Sequence, residues 1–138
     1  MVVITHIEKL ADGKYMKPVI YTVRNYSSET KQISMNRPLA ERLIKLTSPK
    51  QRGMRMGKIL LDCLKDQPDD VLITDIDAMF NPDYPIDVLQ VLIDTCRVKA
   101  FQVLWPGSYE PGTLVYSVPG RPDYKKYAIE NYDVTVII

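Results

Sequence analysis

Val71-Leu72-Ile73-Thr74-Asp75 is a continuous apolar run closed by an acid. A strand with apolar residues at consecutive positions is buried on both faces, the pattern of a parallel strand inside an α/β layer. That run constrains the fold more than any other stretch. Parallel neighbours need long crossovers, and the flanking sequence supplies them. Residues 54–65 place Ile59, Leu60, Cys63 and Leu64 at helical spacing, and residues 86–97 read as an amphipathic helix after the Asn81-Pro82-Asp83-Tyr84-Pro85 turn. An earlier helix opens at Pro38 with Asn36 as its cap. It carries Leu39, Leu43, Ile44 and Leu46 on its apolar stripe and stops at Thr47-Ser48-Pro49.

Residues 100–104, 113–118 and 134–138 read as further strands, 31–35 as a short one, and 123–130 as a short helix. Near the start, residues 2–7 and 18–23 are β-rich, and Ala11-Asp12-Gly13-Lys14 between them suits a turn. An N-terminal hairpin is therefore expected, followed by a polar loop over 25–31. With 138 residues and an ordinary globular balance of 46% hydrophobic and 25% charged side chains, the expectation is one α/β domain over 1–138. Its central sheet is mainly parallel and flanked by helices.

Cys63 and Cys96 lack the spacing of a zinc site or a disulfide framework and read as small buried hydrophobes in a reducing compartment. The start has no basic region leading into a long apolar run, and no stretch approaches a membrane span, so a cytoplasmic protein is expected.

The strongest chemical signal is the acid-terminated strand. Asp75 would stand at the C-terminal edge of the sheet, where a Walker B acid holds Mg²⁺. In an extended backbone Asp77 would point the same way, making the two a candidate metal pair. The commoner meaning of such an acid is a structural cap. A Walker B also works with a Gly-x-x-x-x-Gly-Lys-Ser/Thr loop, whose amides and lysine hold phosphates. No such string occurs. Gly13-Lys14 lacks its leading glycine, Gly53-Met54-Arg55-Met56-Gly57-Lys58 is one residue short and has no hydroxyl, and Ser27–Lys31 has no glycine. No cofactor is expected, with Mg²⁺ and ATP the alternative.

The net charge of +1 conceals an asymmetry. Lys45, Lys50, Arg52, Arg55 and Lys58 lie in a stretch free of acids, whereas Asp66 to Asp94 contains no lysine or arginine. The basic stretch reads as a loop in which Lys50, Arg52, Arg55 and Lys58 could contact nucleic-acid phosphates; a solvated loop or a protein-docking surface are the alternatives. His6 is the single histidine and has no triad partners nearby. Tyr109, Tyr116, Tyr124 and Tyr127 cluster late in the chain, where mixed packing outweighs base stacking.

That late stretch is also the most distinctive. Trp105-Pro106-Gly107-Ser108-Tyr109-Glu110-Pro111-Gly112-Thr113-Leu114-Val115-Tyr116, then Pro119-Gly120-Arg121-Pro122-Asp123-Tyr124, resembles the ending of the small P-loop-type BrxF proteins of bacteriophage-exclusion (BREX) systems. Residues 39–52 resemble that family's helix and residues 71–82 its Walker B strand, so the likeness spans 33–138. A weaker likeness, mainly the Pro-Gly-x-Tyr segment, links the chain to BrxB. The resemblance implies a P-loop-NTPase-like layer and a role in phage defence. The chain departs from the family where its nucleotide loop and following helix belong. The interval between residues 23 and 33 is too short for both, so the layer is expected to be truncated and no phosphate-binding residue is carried over.

The resulting expectation is a non-catalytic accessory component that binds other defence proteins, with Trp105, Tyr109, Arg121 and Tyr124 as candidate contacts. A divergent Mg²⁺-dependent nucleotide-binding protein and a DNA-contacting subunit are the alternatives. For Trp105 itself, core packing with Gly107 and Gly112 shaping turns competes with docking.

Overall fold

The 71–75 run forms β4 (Leu72–Thr74), and parallel strands occupy both of its edges: β3 (Gln32–Ser34) on one side and β5 (Gln102–Leu104) on the other. A computed structural model provides this view and describes residues 2–4, 17–22 and 30–138. Beyond β5 lie β2 (Val19–Tyr21), β9 (Thr135–Ile137) and β1 (Val2–Ile4), giving the order β1-β9-β2-β5-β4-β3 with every pairing parallel. Register follows the pleat, with Ile73 opposite Val103 and Val103 opposite Ile20.

Side-chain alternation divides the sheet into two faces. Ile20, Ile73, Val103 and Val136 join the main core with α1 (Asn36–Leu43), α3 (Met56–Leu64) and α4 (Val88–Val98). Val19, Tyr21, Leu72 and Ile137 form a second buried cluster. Leu39, Leu60, Leu64, Leu89 and Leu92 are fully buried on the helical side. Each contributes about 1.5–3 kcal/mol over an exposed position, so the helices are held by packing more than by propensity. Asp87 caps α4 by accepting from the Gln90 amide at 3.1 Å.

Several expectations need correction. The N-terminal hairpin is absent: β1 and β2 are both parallel to β9 and lie on opposite sides of it. A strand from the far end of the chain thus fills the edge that the hairpin reading gave to a near neighbour. The turn at 11–14 lies outside the described residues. Asn36 is inside the first turn of α1 and does not cap it; the cap position is Met35, and Ser34 Oγ accepts from the Asn36 amide at 3.5 Å. The 49–54 stretch is not a loop but a short helix, α2 (Pro49–Met54), capped by Ser48 Oγ accepting from Gln51 N at 3.2 Å.

Residues 123–130 do not form a helix either. They contribute β8 (Lys125–Ala128) to an antiparallel sheet with β6 (Ser108–Glu110) and β7 (Thr113–Tyr116). Pairing with β7 across four register positions overrides the helix propensity of Lys125, Lys126 and Ala128. Pro111-Gly112 joins β6 to β7, with Gly112 at φ +76°, a conformation glycine adopts without a Cβ penalty.

This small sheet grows from the C-terminal end of β5 through Trp105-Pro106-Gly107. Trp105 is 1% exposed, and its Nε1 donates to the Val115 carbonyl at 2.9 Å. Its ring meets Phe80 and Tyr127 edge to face, with centroids 5.6 and 5.8 Å apart. The approach is close enough that a Cβ on Gly107 would fall 1.9 Å from the Val115 carbonyl oxygen. Among the described residues no helix is long and apolar enough to cross a membrane.

Candidate functional site

All strands of the main sheet run the same way, so their C-terminal ends share one edge, and the small sheet rises beside it. At the end of β4 the chain turns sharply. Asp75 adopts the left-handed conformation at φ 54°, and residues Ile76–Phe80 follow as a single 3-10 segment. The expected extended backbone through Asp77 therefore does not form, and the geometric premise for a same-facing Asp75–Asp77 pair is corrected. Asp75 accepts from its neighbour Thr74 Oγ1 at 3.2 Å, while Asp77 Oδ1 accepts from the Tyr116 hydroxyl at 2.9 Å. Among the described residues no group of three or more His, Cys, Asp or Glu side chains is placed to hold a metal ion.

An open cleft of about 490 Å³ lies between the 3-10 segment, the C-terminal half of α1 and the β7–β8 connection. Ala40, Leu43, Ile44, Ala78, Phe80, Pro82 and Tyr84 supply its apolar lining, and Arg52, Asp77, Asn81, Tyr116 and Asp123 its polar groups. Phe80 and Tyr116 stack with centroids 3.8 Å apart and 9° between their planes. Ser117, among the described residues the other non-glycine with positive φ (64°), donates from Oγ to Asp123 Oδ1 at 2.7 Å. Backbones of this kind concentrate at functional sites. Burial, the hydrogen bond to Asp77 and the nearby charges of Asp77 and Asp123 all hold the Tyr116 hydroxyl well above the usual phenol range. Tyr116 is therefore a neutral hydrogen-bond donor at physiological pH.

The cleft also has an exposed lip. Leu43 is buried, but Ile44, expected on the apolar stripe of α1, is 76% exposed. Met54 at the end of α2 is also 74% exposed, but it does not line the cleft.

The basic stretch resolves into distinct roles. Arg52 is half-buried and spends its guanidinium on the C-terminal end of α1: Nε donates to the carbonyls of Leu43 at 3.0 Å and Leu46 at 3.2 Å, and Nη2 to Leu46 at 3.0 Å. Three donor contacts to carbonyls at a helix C-terminus tie α1 to α2. Lys50, Arg55 and Lys58 are exposed. Gly53, in the nearest approach to a phosphate loop, sits inside α2, where a Cβ would come 2.8 Å from Pro85 Cδ. It packs a helix against a turn. Gly13, Lys14 and His6 lie outside the described residues.

Of the expected partner contacts, Trp105 belongs to the buried junction and not to the surface. Tyr109 is half-buried, with its hydroxyl accepting from the Gly112 amide at 3.3 Å. Tyr124 is also half-buried, and Arg121 is exposed. Burial pushes the thiols of Cys63 and Cys96 up, the opposite of an activated nucleophile. The grouping of Ala40 and Ile44 with Asp123 escaped sequence reasoning because those residues come from opposite halves of the chain. No protein-family model, curated protein or solved structure matches the chain.

Proposed function

We propose that the chain is a non-catalytic accessory component of a BREX-type phage-defence complex, and that the cleft beside the sheet edge is where it holds a partner protein. The observation that carries this reading is Ile44, which is 76% exposed on the lip of an open cleft lined in about equal parts by apolar and polar groups. An exposed aliphatic side chain beside a concavity of mixed apolar and polar lining is compatible with a protein contact. The resemblance over residues 33–138 supplies the defence context. The parallel sheet is compatible with a truncated P-loop-like layer, and the connection over residues 22–31 contains no glycine for a phosphate loop.

The test is co-purification of the tagged chain with the products of its own operon. Recovery of a large ATPase or methyltransferase component, lost in Ile44→Glu, supports the proposal. A wild-type chain that recovers no defence protein overturns it.

A second reading, a divergent Mg²⁺-dependent nucleotide-binding protein, is favoured by one observation: Asp75 is exposed at the end of β4 on a left-handed backbone. Calorimetry with ATP decides it. Micromolar affinity that requires Mg²⁺ would support that reading, and no heat with or without Mg²⁺ would remove it.

A further inference from the structure

We infer that the cleft takes an arginine-bearing segment of a partner polypeptide, with the guanidinium seated between Asp77 and Asp123 beside the Tyr116 ring. The inference rests on the cleft being a partner-binding surface and names the chemistry it selects. Among the described residues each carboxylate accepts one side-chain hydrogen bond, which leaves its second oxygen for a ligand. Asp77 uses Oδ1 for the Tyr116 hydroxyl and Asp123 uses Oδ1 for Ser117, while among the described residues neither enters an ion pair. Both charges act on the Tyr116 hydroxyl, so their fields converge at that point of the cleft.

Among the described residues no cation forms an ion pair with either carboxylate. Arg52 is, among the described residues, the one cation lining the cleft, and its Nε and Nη2 are committed to the carbonyls of Leu43 and Leu46. The wall formed by residues 77–84 belongs to a stretch, 66–94, that contains no lysine or arginine, while the opposite wall carries Arg52. Two carboxylates against one guanidinium leave the lining net negative, so a cationic occupant is the complementary one.

Shape selects arginine over lysine. A planar guanidinium can donate to two carboxylates from a rigid fork while its plane lies against an aromatic ring, and the ammonium of lysine offers neither feature. The Phe80 stack holds the Tyr116 ring in a fixed orientation. Leu43, Ile44, Pro82 and Tyr84 provide an apolar bed for residues flanking the arginine. A volume of about 490 Å³ accommodates the side chain and such neighbours.

The test uses two blocked tripeptides, Ac-Leu-Arg-Leu-NH₂ and Ac-Leu-Gln-Leu-NH₂, titrated into the full chain at low salt and followed by amide chemical shifts. The expected result is a set of shifts centred on Asp77, Tyr116 and Asp123. Affinity should be about tenfold higher for the arginine peptide, and that preference should vanish in Asp77→Asn/Asp123→Asn. Equal affinity for the glutamine peptide, shifts centred elsewhere, no binding, or an unchanged preference in a folded double variant would overturn the inference. Should the double variant fail to fold, the two peptides on the wild-type chain decide alone. Loss of the arginine preference alongside Ile44-dependent partner recovery would sink this inference and leave the accessory role standing; loss of that recovery would remove the accessory role itself.

Discussion

The Tyr116 hydroxyl donates to Asp77 Oδ1 at 2.9 Å, and this bond joins the small antiparallel sheet to the segment that leaves the parallel one. The two residues reach the contact from separate elements, β7 and the 3-10 segment, and Phe80 stacks beneath Tyr116 to fix the approach. Tyr116→Phe keeps the stack and removes the bond. The expected loss is about 1 kcal/mol in urea unfolding. Tyr116→Ala removes the ring as well and should cost more than twice as much.

Alkaline pH should act through the same contact. Tyr116, Tyr127 and Tyr132 are all held above the ordinary phenol range, chiefly by burial, with carboxylates of Asp77 or Asp87 adding to the shift. The folded state keeps these protons where the unfolded chain, titrating near pH 10, gives them up. Stability from the three groups is fully present below that pH and is lost as the pH rises past it. Thermal unfolding should show a flat neutral region and a decline above pH ~10 that is shallower in Tyr116→Phe.

Arg52 and its basic neighbours should separate cleanly. Arg52→Ala strips three donor contacts from the carbonyls of Leu43 and Leu46 and should cost about 1–2 kcal/mol. Arg52→Lys recovers little of this, since a single ammonium cannot span both carbonyls in the same fork. Lys50→Ala, Arg55→Ala and Lys58→Ala should each stay within about 0.5 kcal/mol. If the triple variant of Lys50, Arg55 and Lys58 loses low-salt DNA binding that the wild type has, the DNA-contacting alternative gains its footing. An absence of wild-type binding at low salt ends it.

How much of this was legible in the sequence depends on how local each signal is. The 71–75 run, Ala100 to Leu104 and Val134 to Ile138 announce sheet strands by their largely apolar content, because strands buried on both faces need no partner to be recognised. Leu60, Leu64, Leu89 and Leu92 mark helices by their spacing. The misreadings arise where a distant partner decides. β9 separates β1 from β2, β7 draws Lys125–Ala128 into a strand, and the left-handed turn at Asp75 breaks the extended path to Asp77. The α2 helix was concealed by Pro49 and Gly53, though Pro49 occupies its first turn and Gly53 is required by Pro85. The Trp105-Pro106-Gly107 signature was visible, but its role in gripping Val115 depends on a contact made only after folding.

That grip should dominate the stability of the small sheet. Trp105→Phe leaves the Val115 carbonyl without its indole donor and opens space beside Phe80 and Tyr127, an expected loss of about 2–3 kcal/mol. Gly107→Ala should be at least as damaging, since its Cβ cannot share space with the Val115 carbonyl. Both are read by denaturant unfolding.

Asp75 offers a way to separate strain from function. A non-glycine residue in the left-handed region carries about 1 kcal/mol of strain, although Asp and Asn tolerate it better than most. Asp75→Asn should leave stability unchanged, because the same backbone suits it. Asp75→Gly removes the Cβ conflict at φ 54° but raises the entropy of the unfolded chain, so the net change should lie within about 1 kcal/mol of zero. A merely structural turn would then pass both substitutions without effect on the phage protection that the proposed accessory role implies. If protection falls in both variants while urea unfolding stays near wild type, the carboxylate itself is what the turn serves to present, and the Mg²⁺-dependent alternative becomes the stronger account of that edge of the sheet.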